Sequence, residues 1–154
     1  MAMDDSRRYT DFVGIDVSKD RLDVHLRPAG QAFAVARDSE GVEALVTRLQ
    51  ELCPDLVVLE ATGGFETVVA AGLAAAGLPL AVVNPRQIRD FARAVGRLAK
   101  TDPLDAAIIA HFAEAVRPQA RMVPDEAARA LGELVARRRQ IVEMMVAERN
   151  RRRQ

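Results

Sequence analysis

The opening of the chain alternates apolar and polar residues in a pattern typical of short β-strands. Residues 12–17 form an apolar run interrupted only by an aspartate near its end. Residues 21–27 alternate apolar with polar side chains, and residues 31–37 alternate alanines with the larger Phe33 and Val35. Polar or Pro-Gly turns separate the three segments. Such alternation between short turns indicates half-buried strands that pair with their neighbours. We therefore predict a three-stranded antiparallel meander.

The hydrophobic period then changes to that of helices alternating with strands. From Ser39, an expected N-cap, apolar residues recur at helical spacing until Pro54. A buried-type strand at residues 55–61, an alanine-rich helix ending at Gly77 and a strand at residues 80–83 follow. Helical crossovers join parallel strands. Together with the meander, this order predicts an α/β fold, a mixed five-stranded sheet with flanking helices on the ribonuclease H-like plan.

Three more helices are predicted after the last strand. Pro85 opens a helix that we expect to end near Leu98, and Thr101 caps another that runs to about Val116. A segment bounded by Pro118 and Pro124 then leads to a helix over residues 125–154. This last helix carries a single apolar stripe and ends without a cap, which is typical of a coiled-coil segment.

Composition narrows the classes of protein and of metal site. The 154 residues carry 22 basic and 22 acidic side chains, but residues 117–154 hold ten arginines against five acids. One cysteine, Cys53, excludes an internal disulfide framework and a cysteine zinc cluster, and two isolated histidines disfavour a His-based site. No apolar stretch approaches the roughly 20 residues of a bilayer crossing. We expect a soluble, cytoplasmic protein with no membrane partner.

Four carboxylates are candidates for a metal site. Asp16 and Glu60 each end a strand, and the predicted topology brings the carboxyl ends of those two strands to one sheet edge. Asp102 and Asp105 would share one face of the first turn of the helix that Thr101 caps. A purely oxygen donor set suits Mg²⁺ or Mn²⁺ in a two-metal phosphoryl-transfer site. The alternatives are strand ends that emerge into solvent and ordinary helix capping.

The chain carries four recognisable motifs, three of which contain the candidate acids. These are Gly14-Ile15-Asp16-Val17-Ser18-Lys19, Leu59-Glu60-Ala61-Thr62-Gly63, Asn84-Pro85 and Lys100-Thr101-Asp102-Pro103-Leu104-Asp105-Ala106. In order and spacing they resemble the RuvC-like DEDD domain of insertion-sequence transposases related to the pilin-inversion recombinase Piv, over about residues 12–116. The resemblance implies a catalytic, metal-binding tetrad of Asp16, Glu60, Asp102 and Asp105, with Mg²⁺ or Mn²⁺ as cofactor.

The resemblance also implies a domain plan and partners. Residues 1–11 would be an N-terminal tail, residues 12–117 the catalytic domain, and residues 118–154 a linker and the start of a coiled-coil helix that joins protomers. Members of this family act on DNA under the guidance of a bridge RNA and carry a serine nucleophile in a second domain. The serines of this chain, Ser6, Ser18 and Ser39, all precede Asp102 and Asp105. We therefore expect the serine-bearing half to be absent and the fragment to be inactive in full recombination.

Basic residues are candidates for nucleic-acid contact. The candidates are Lys19, Arg86, Arg89, Arg93, Arg97 and Lys100. All but Lys19 are spaced three or four residues apart, which predicts one basic stripe on the helix leading to Thr101. The alternative is a solvated helix face. No aromatic residue interleaves with the stripe, so phosphate contact is favoured over base stacking.

The leading hypothesis is the catalytic domain of a bacterial DNA transposase or recombinase, associated with the nucleoid when acting. It would bind divalent metal and contribute to DNA strand cleavage and exchange. One alternative is a self-sufficient Holliday-junction resolvase-like nuclease, which needs no serine. Another is a non-catalytic module that binds RNA or dimerises. An actin-like kinase is disfavoured because Val17-Ser18-Lys19-Asp20 lacks a glycine-rich phosphate loop.

Overall fold

The chain folds into a sheet of five strands flanked by helices. The structure, a computed structural model, describes residues 11–97, 104–120 and 125–153, with only the backbone described for residues 125–132. The strands are β1 (Phe12–Val17), β2 (Arg21–Arg27), β3 (Ala32–Ala36), β4 (Leu56–Glu60) and β5 (Leu80–Val83). The helices are α1 (Ser39–Leu52), α2 (Glu66–Ala75), α3 (Pro85–Ala94), α4 (Ala106–Val116) and α5 (Asp125–Arg152).

The sheet has the strand order β3-β2-β1-β4-β5, with β1 at its centre. β1 is antiparallel to β2 and parallel to β4, and β4 is parallel to β5. An antiparallel meander extended by two parallel strands is the ribonuclease H-like plan. The fold class predicted from the hydrophobic periods is therefore confirmed.

Each face of the sheet buries its own apolar core. Side chains alternate between faces along a strand, so Ile15 and Leu59 pack with Leu45 of α1 and Leu73 of α2. On the other face, Val58 belongs to a second cluster with residues of α3 and α4. The sheet is thus a shared layer between two helical layers, and a polar side chain on a central strand points toward one layer or the other.

Gly14 lets α4 lie directly against the central strand. A Cβ atom at this position would stand 2.2 Å from the backbone nitrogen of Ala110 and 2.5 Å from the carbonyl oxygen of Ala106. These contacts involve backbone atoms of α4, which cannot rotate away as a side chain can. The absence of a side chain at residue 14 therefore fixes how closely the amino-terminal half of α4 approaches β1.

Two predicted helix starts are wrong by one to a few residues. Asp38, rather than Ser39, caps α1, and its Oδ1 accepts a hydrogen bond from the amide of Gly41 at 2.7 Å. Asp105, rather than Thr101, caps α4, with Oδ1 accepting from the amide of Ile108 at 2.9 Å. In both cases the aspartate has extended backbone angles that aim its carboxylate at the open amides of the first turn. Thr101 itself lies outside the described residues.

The predicted end of α3 near Leu98 is also wrong. The helix ends at Ala94, and Gly96 follows in the left-handed region with a φ of 70°. The amide of Arg97 donates to the carbonyl of Ala92 at 2.9 Å, and the amide of Gly96 donates to that of Arg93 at 3.0 Å. These bonds satisfy the last carbonyls in a Schellman-type ending, which a glycine permits.

The last helix begins at Asp125 as predicted and packs against α2. Arg139 joins it to α1 through an ion pair with Glu43. Several apolar side chains of α5 face solvent, including Leu134 and Met145, each 66% exposed. Within the described part of the chain, no helix is both long enough and apolar enough to span a membrane. Coiled-coil pairing and assembly through α5 remain predictions.

Candidate functional site

Asp16 and Glu60 lie side by side at the carboxyl ends of two parallel strands. The register pairs Ile15 of β1 with Leu59 of β4, so the two acids are the next residues of their strands. Because Ile15 and Leu59 belong to the core under α1 and α2, the acids point to the opposite face, beneath α3 and α4. Both are half-buried. The predicted juxtaposition of these two carboxylates is present.

A third carboxylate, Asp23, extends this row across the sheet. Asp23 of β2 is the antiparallel partner of Asp16 and shares its face. Arg21 engages both of its oxygens, with Nε donating at 3.0 and 3.1 Å. Asp23 was not among the predicted site residues, although its alternation with Leu22 and Val24 already indicated the face on which it lies.

Asp105 approaches the row from the amino terminus of α4. Its carboxylate caps the helix, and its charge acts electrostatically on Asp16. The contact between Gly14 and α4 explains this approach, since Gly14 is two residues before Asp16 and touches the backbone of Ala106. The predicted pairing of Asp105 with Asp102 in one helical turn is wrong in its placement of Asp105, which precedes the helix. Asp102 lies outside the described residues.

Burial and the repulsion between neighbouring carboxylates both oppose ionisation at this site. Burial raises the pKa of Asp16, and the charges of Asp23 and Asp105 raise it further. Burial likewise raises the pKa of Glu60, as does the charge of Asp16, while the guanidinium of Arg89 on α3 acts in the opposite direction. Partly desolvated carboxylates that repel one another favour a proton or a cation.

The donor set fits a hard divalent cation in chemistry but is not a complete coordination shell in the described residues. Carboxylate oxygens alone are the ligands that Mg²⁺ and Mn²⁺ take up. Among residues 11–97, 104–120 and 125–153, no three acids, histidines or cysteines come close enough together to hold a metal ion. Asp16 and Glu60 supply an adjacent pair, and Asp105 lies at the margin as a helix cap.

The loop that follows Glu60 is organised by another acid, Glu66. One oxygen of Glu66, Oε2, accepts hydrogen bonds from the amide and hydroxyl of Thr62, each at 3.0 Å, and from the amide of Gly64 at 2.9 Å. Burial alone would raise the pKa of Glu66, but these bonds, with one from its own amide, outweigh it and lower the pKa. The role of Glu66 was not predicted. Its only sequence indication is a glutamate opening a helix after Thr-Gly-Gly, as capping motifs often do.

The basic candidates occupy three different places. Arg86, Arg89 and Arg93 lie on α3, which Asn84 caps through a hydrogen bond from the amide of Arg86 at 2.9 Å. Arg97 follows the end of the helix, where Nη1 lies 3.2 Å from Nδ1 of His111. A single helical stripe is therefore wrong for Arg97, because the turn at Gly96 ends α3.

The two lysines complete this group of candidates. Lys19 is exposed in the turn that follows β1. Lys100 lies outside the described residues. Among the described members of this basic set, Arg89 has a charge that acts on a candidate metal ligand, Glu60.

Most of the chain matches the model of one known family. A model of DEDD transposases of the IS110 type matches residues 13–154. The chain belongs to the IS110-type DEDD transposases. The match runs from the strand that bears Asp16 through the final helix, so it includes every candidate ligand of this transposase chain.

Comparisons with individual proteins are less informative. No curated protein matches the transposase chain significantly. Among solved structures, it is similar to T. thermophilus RuvC in complex with a Holliday junction substrate, at 16% identity and a TM-score of 0.49. That alignment covers 73% of this chain and 99% of the RuvC chain. The assignment of the fold rests on the strand order of the sheet described above.

Proposed function

We propose that this chain is the metal-dependent catalytic domain of a DNA transposase or recombinase, with Asp16, Glu60, Asp102 and Asp105 as metal ligands. The observation that carries the proposal is the half-buried pair Asp16 and Glu60 on adjacent parallel strands. Their raised pKa values express an unfavourable free energy of ionisation, which a bound cation would offset. Membership in the transposase family supports DNA as the substrate.

Each acid has a definable task in this proposal. Asp16 and Glu60 directly follow the paired residues Ile15 and Leu59 on two central strands and would define the fixed side of the site. Asp105, and Asp102 with it, would close the site from the segment that precedes α4. When bound, Mg²⁺ or Mn²⁺ would stabilise negative charge developing on a scissile phosphate. Arg89, whose charge acts on Glu60, would add positive charge where the DNA backbone arrives.

The proposed function also includes partners of the domain. We propose that Lys19, Arg86, Arg89, Arg93, Arg97 and Lys100 contact nucleic-acid phosphates, and that a bridge RNA and a second protomer, bound through α5, complete the assembly. A serine nucleophile would be needed in addition to these residues. Recombination by the isolated chain would contradict that requirement.

Metal binding is tested by the thermal stability of the chain at fixed ionic strength during titration with Mn²⁺ and Mg²⁺. A ligand at one hundred times its dissociation constant stabilises the native state by about 2.7 kcal/mol. We expect a clear rise in melting temperature for the wild type and none for Asp16→Asn or for the double variant Asp102→Asn, Asp105→Asn. Asp23→Asn is the comparison variant: it removes a charge that acts on Asp16, but Arg21 already engages both oxygens of Asp23, so we expect the metal-dependent rise to remain. A rise that survives in Asp16→Asn would overturn the ligand assignment.

DNA contact is tested by the salt dependence of binding to a fluorescent branched duplex. Loss of one phosphate contact lowers the slope of log K against log salt by about 1. We expect that decrease for Arg93→Gln, whose ion-pair partner is Asp90 of the same helix at 3.6 Å. Arg48→Gln is the control, because Arg48 belongs to α1 on the other face of the sheet. Equal slopes in the wild type and Arg93→Gln would remove α3 from the interface.

A further inference from the structure

Arg37 contacts both loops that leave the strands bearing Asp16 and Glu60. It lies between β3 and α1, away from every predicted site residue in sequence. The turn of residues 18–20 follows β1 directly, and the loop of residues 61–65 follows β4. These two segments form the rim of the proposed site, because Asp16 and Glu60 occupy the carboxyl ends of β1 and β4.

The contacts with the first loop are hydrogen bonds to its backbone. Nε of Arg37 donates to the carbonyl oxygen of Lys19 at 2.6 Å. The amide of Arg37 donates to the carbonyl oxygen of Asp20 at 3.0 Å. Two donors from one residue therefore hold consecutive carbonyls of the turn, and a charge-assisted bond is the stronger kind.

The contact with the second loop is between the guanidinium and an aromatic ring. The guanidinium carbon of Arg37 lies 4.8 Å from the centroid of Phe65, the residue immediately before α2. Phe65 is 42% exposed, so the ring is not held by burial in a core. A guanidinium within about 6 Å of a ring centroid attracts it electrostatically.

We propose that Arg37 is a positioning residue that connects the turn of residues 18–20 to the loop of residues 61–65. It thereby fixes the relative position of the two segments that follow the strands bearing Asp16 and Glu60. The proposal rests on the proposed function for its metal site. Arg37 acts through the backbone at Lys19 and the ring of Phe65 and touches no reacting atom. Planarity matters, because a guanidinium can donate along its edge while a ring lies on its face.

The test compares Arg37→Gln and Arg37→Lys with Arg48→Gln. Arg48 is a matched control because its guanidinium lies 3.7 Å from the centroid of another ring, that of Phe33 on β3, which belongs to neither loop. Amide hydrogen exchange at Ser18 and Gly64 reports on the two loops, since both amides are hydrogen-bonded within or beside them. Mn²⁺ affinity reports on the site.

We expect Arg37→Gln to accelerate exchange at both Ser18 and Gly64 by about fivefold and to weaken Mn²⁺ binding by about threefold. Arg37→Lys should recover part of both effects, because an ammonium keeps the attraction to Phe65. Arg48→Gln should change neither, whatever it does to global stability.

Faster exchange at Ser18 alone would overturn the coupling of the loops. Faster exchange at both amides with unchanged Mn²⁺ affinity would overturn the positioning role. A wild-type chain that binds no Mn²⁺ would overturn the proposed function instead, while the two exchange rates would still decide whether Arg37 couples the loops.

Discussion

The two faces of the sheet differ at the carboxyl ends of their strands. Beneath α1 and α2, the inward residues of β1 remain apolar to the end of the strand, where Val17 is buried. Beneath α3 and α4, the inward residues of β1 are Phe12, Gly14 and Asp16, and β4 contributes Glu60 after Val58. The same strands thus end as plain core on one face and as a charged site on the other.

This difference shows how one strand serves stability and chemistry together. A shift of one residue in register would exchange the faces, sending Asp16 and Glu60 into the α1–α2 core. The parallel pairing of Ile15 with Leu59 therefore holds the acids as well as the core. The α1–α2 face secures the sheet, and the α3–α4 face uses that rigidity to present ligands.

The largest expected effect comes from adding a methyl group between β1 and α4. Gly14→Ala would place Cβ 2.2 Å from a backbone nitrogen of α4, so the helix must move away from the strand. We expect a loss of about 3 kcal/mol or more in the free energy of unfolding, as for severe overpacking. Chemical denaturation measures this loss.

A matched glycine tests whether the α3–α4 face is special. Gly72 lies in α2 on the other face, and its Cβ would meet only the Cγ1 of Val42 at 3.0 Å. Gly72→Ala should be nearly neutral, since a small side-chain adjustment opposes the better helix propensity of alanine, about 1 kcal/mol. Equal losses for the two variants would contradict the close contact between β1 and α4.

Sequence periodicity was sufficient to predict the strands of the sheet, but it did not predict where the helices near the site begin and end. Alternation in β2 reflects the face that each residue occupies, and the apolar run of β4 reflects burial on both faces. The end of α3 and the start of α4 depend instead on competition among nearby caps. Gly96 takes the left-handed conformation that ends α3. Asp105 caps α4, although the sequence also offers Thr101 and Asp102 as residue types that cap helices.

Hydrophobic periodicity also did not predict the tertiary contacts between distant parts of the chain. Gly14 was part of a predicted strand, but the need for a glycine there follows only from the close approach of Ala110 in the folded structure. Arg37 and Glu66 lie outside the motifs that the sequence displays, and each contacts a loop that begins within one of them. The adjacency of Asp16 and Glu60 was predictable because it depends on strand order alone.

An intermediate effect separates the two roles of Asp105. Asp105→Ala removes both the cap of α4 and a charge from the proposed site, and should cost about 1 kcal/mol of unfolding free energy. Asp105→Asn keeps a side chain that caps equally well, so stability should hardly change. Both variants should lose Mn²⁺ affinity in a calorimetric titration. Wild-type affinity in Asp105→Asn would leave Asp105 as a cap only.

The smallest expected effect is a pH dependence of opposite sign for two glutamates at the two ends of one loop. Glu60 faces the α3–α4 side and has a raised pKa, first through burial and then through Asp16. Glu66 opens α2 on the other side and has a lowered pKa, because its hydrogen bonds outweigh its burial. The two glutamates therefore have pKa values shifted in opposite directions on the two sides of the sheet.

The sign of the pH dependence of stability depends on whether the folded or the unfolded state binds the proton more tightly. For Glu60, the folded state binds the proton more tightly, so its contribution to stability is present at low pH and is lost as the pH rises above the ordinary glutamate value of 4.5. For Glu66, the contribution is present above 4.5 and is lost as the pH falls through the lowered pKa. Metal-free Glu60→Gln should accordingly gain stability relative to the wild type as the pH rises, while Glu66→Gln should lose it.

Urea denaturation in a chelator between about pH 4 and 7 measures both differences. Each should stay below about 1 kcal/mol, because solvent screens groups that are partly exposed. In excess over the chelator, Mn²⁺ should make the wild type more stable than Glu60→Gln, because the carboxylate binds the metal and a glutamine amide does not replace it. It should not change the comparison for Glu66→Gln. Parallel pH curves for the two variants would mean that the pKa values of Glu60 and Glu66 shift in the same direction on folding, which would contradict an unfavourable ionisation of Glu60 at the proposed metal site.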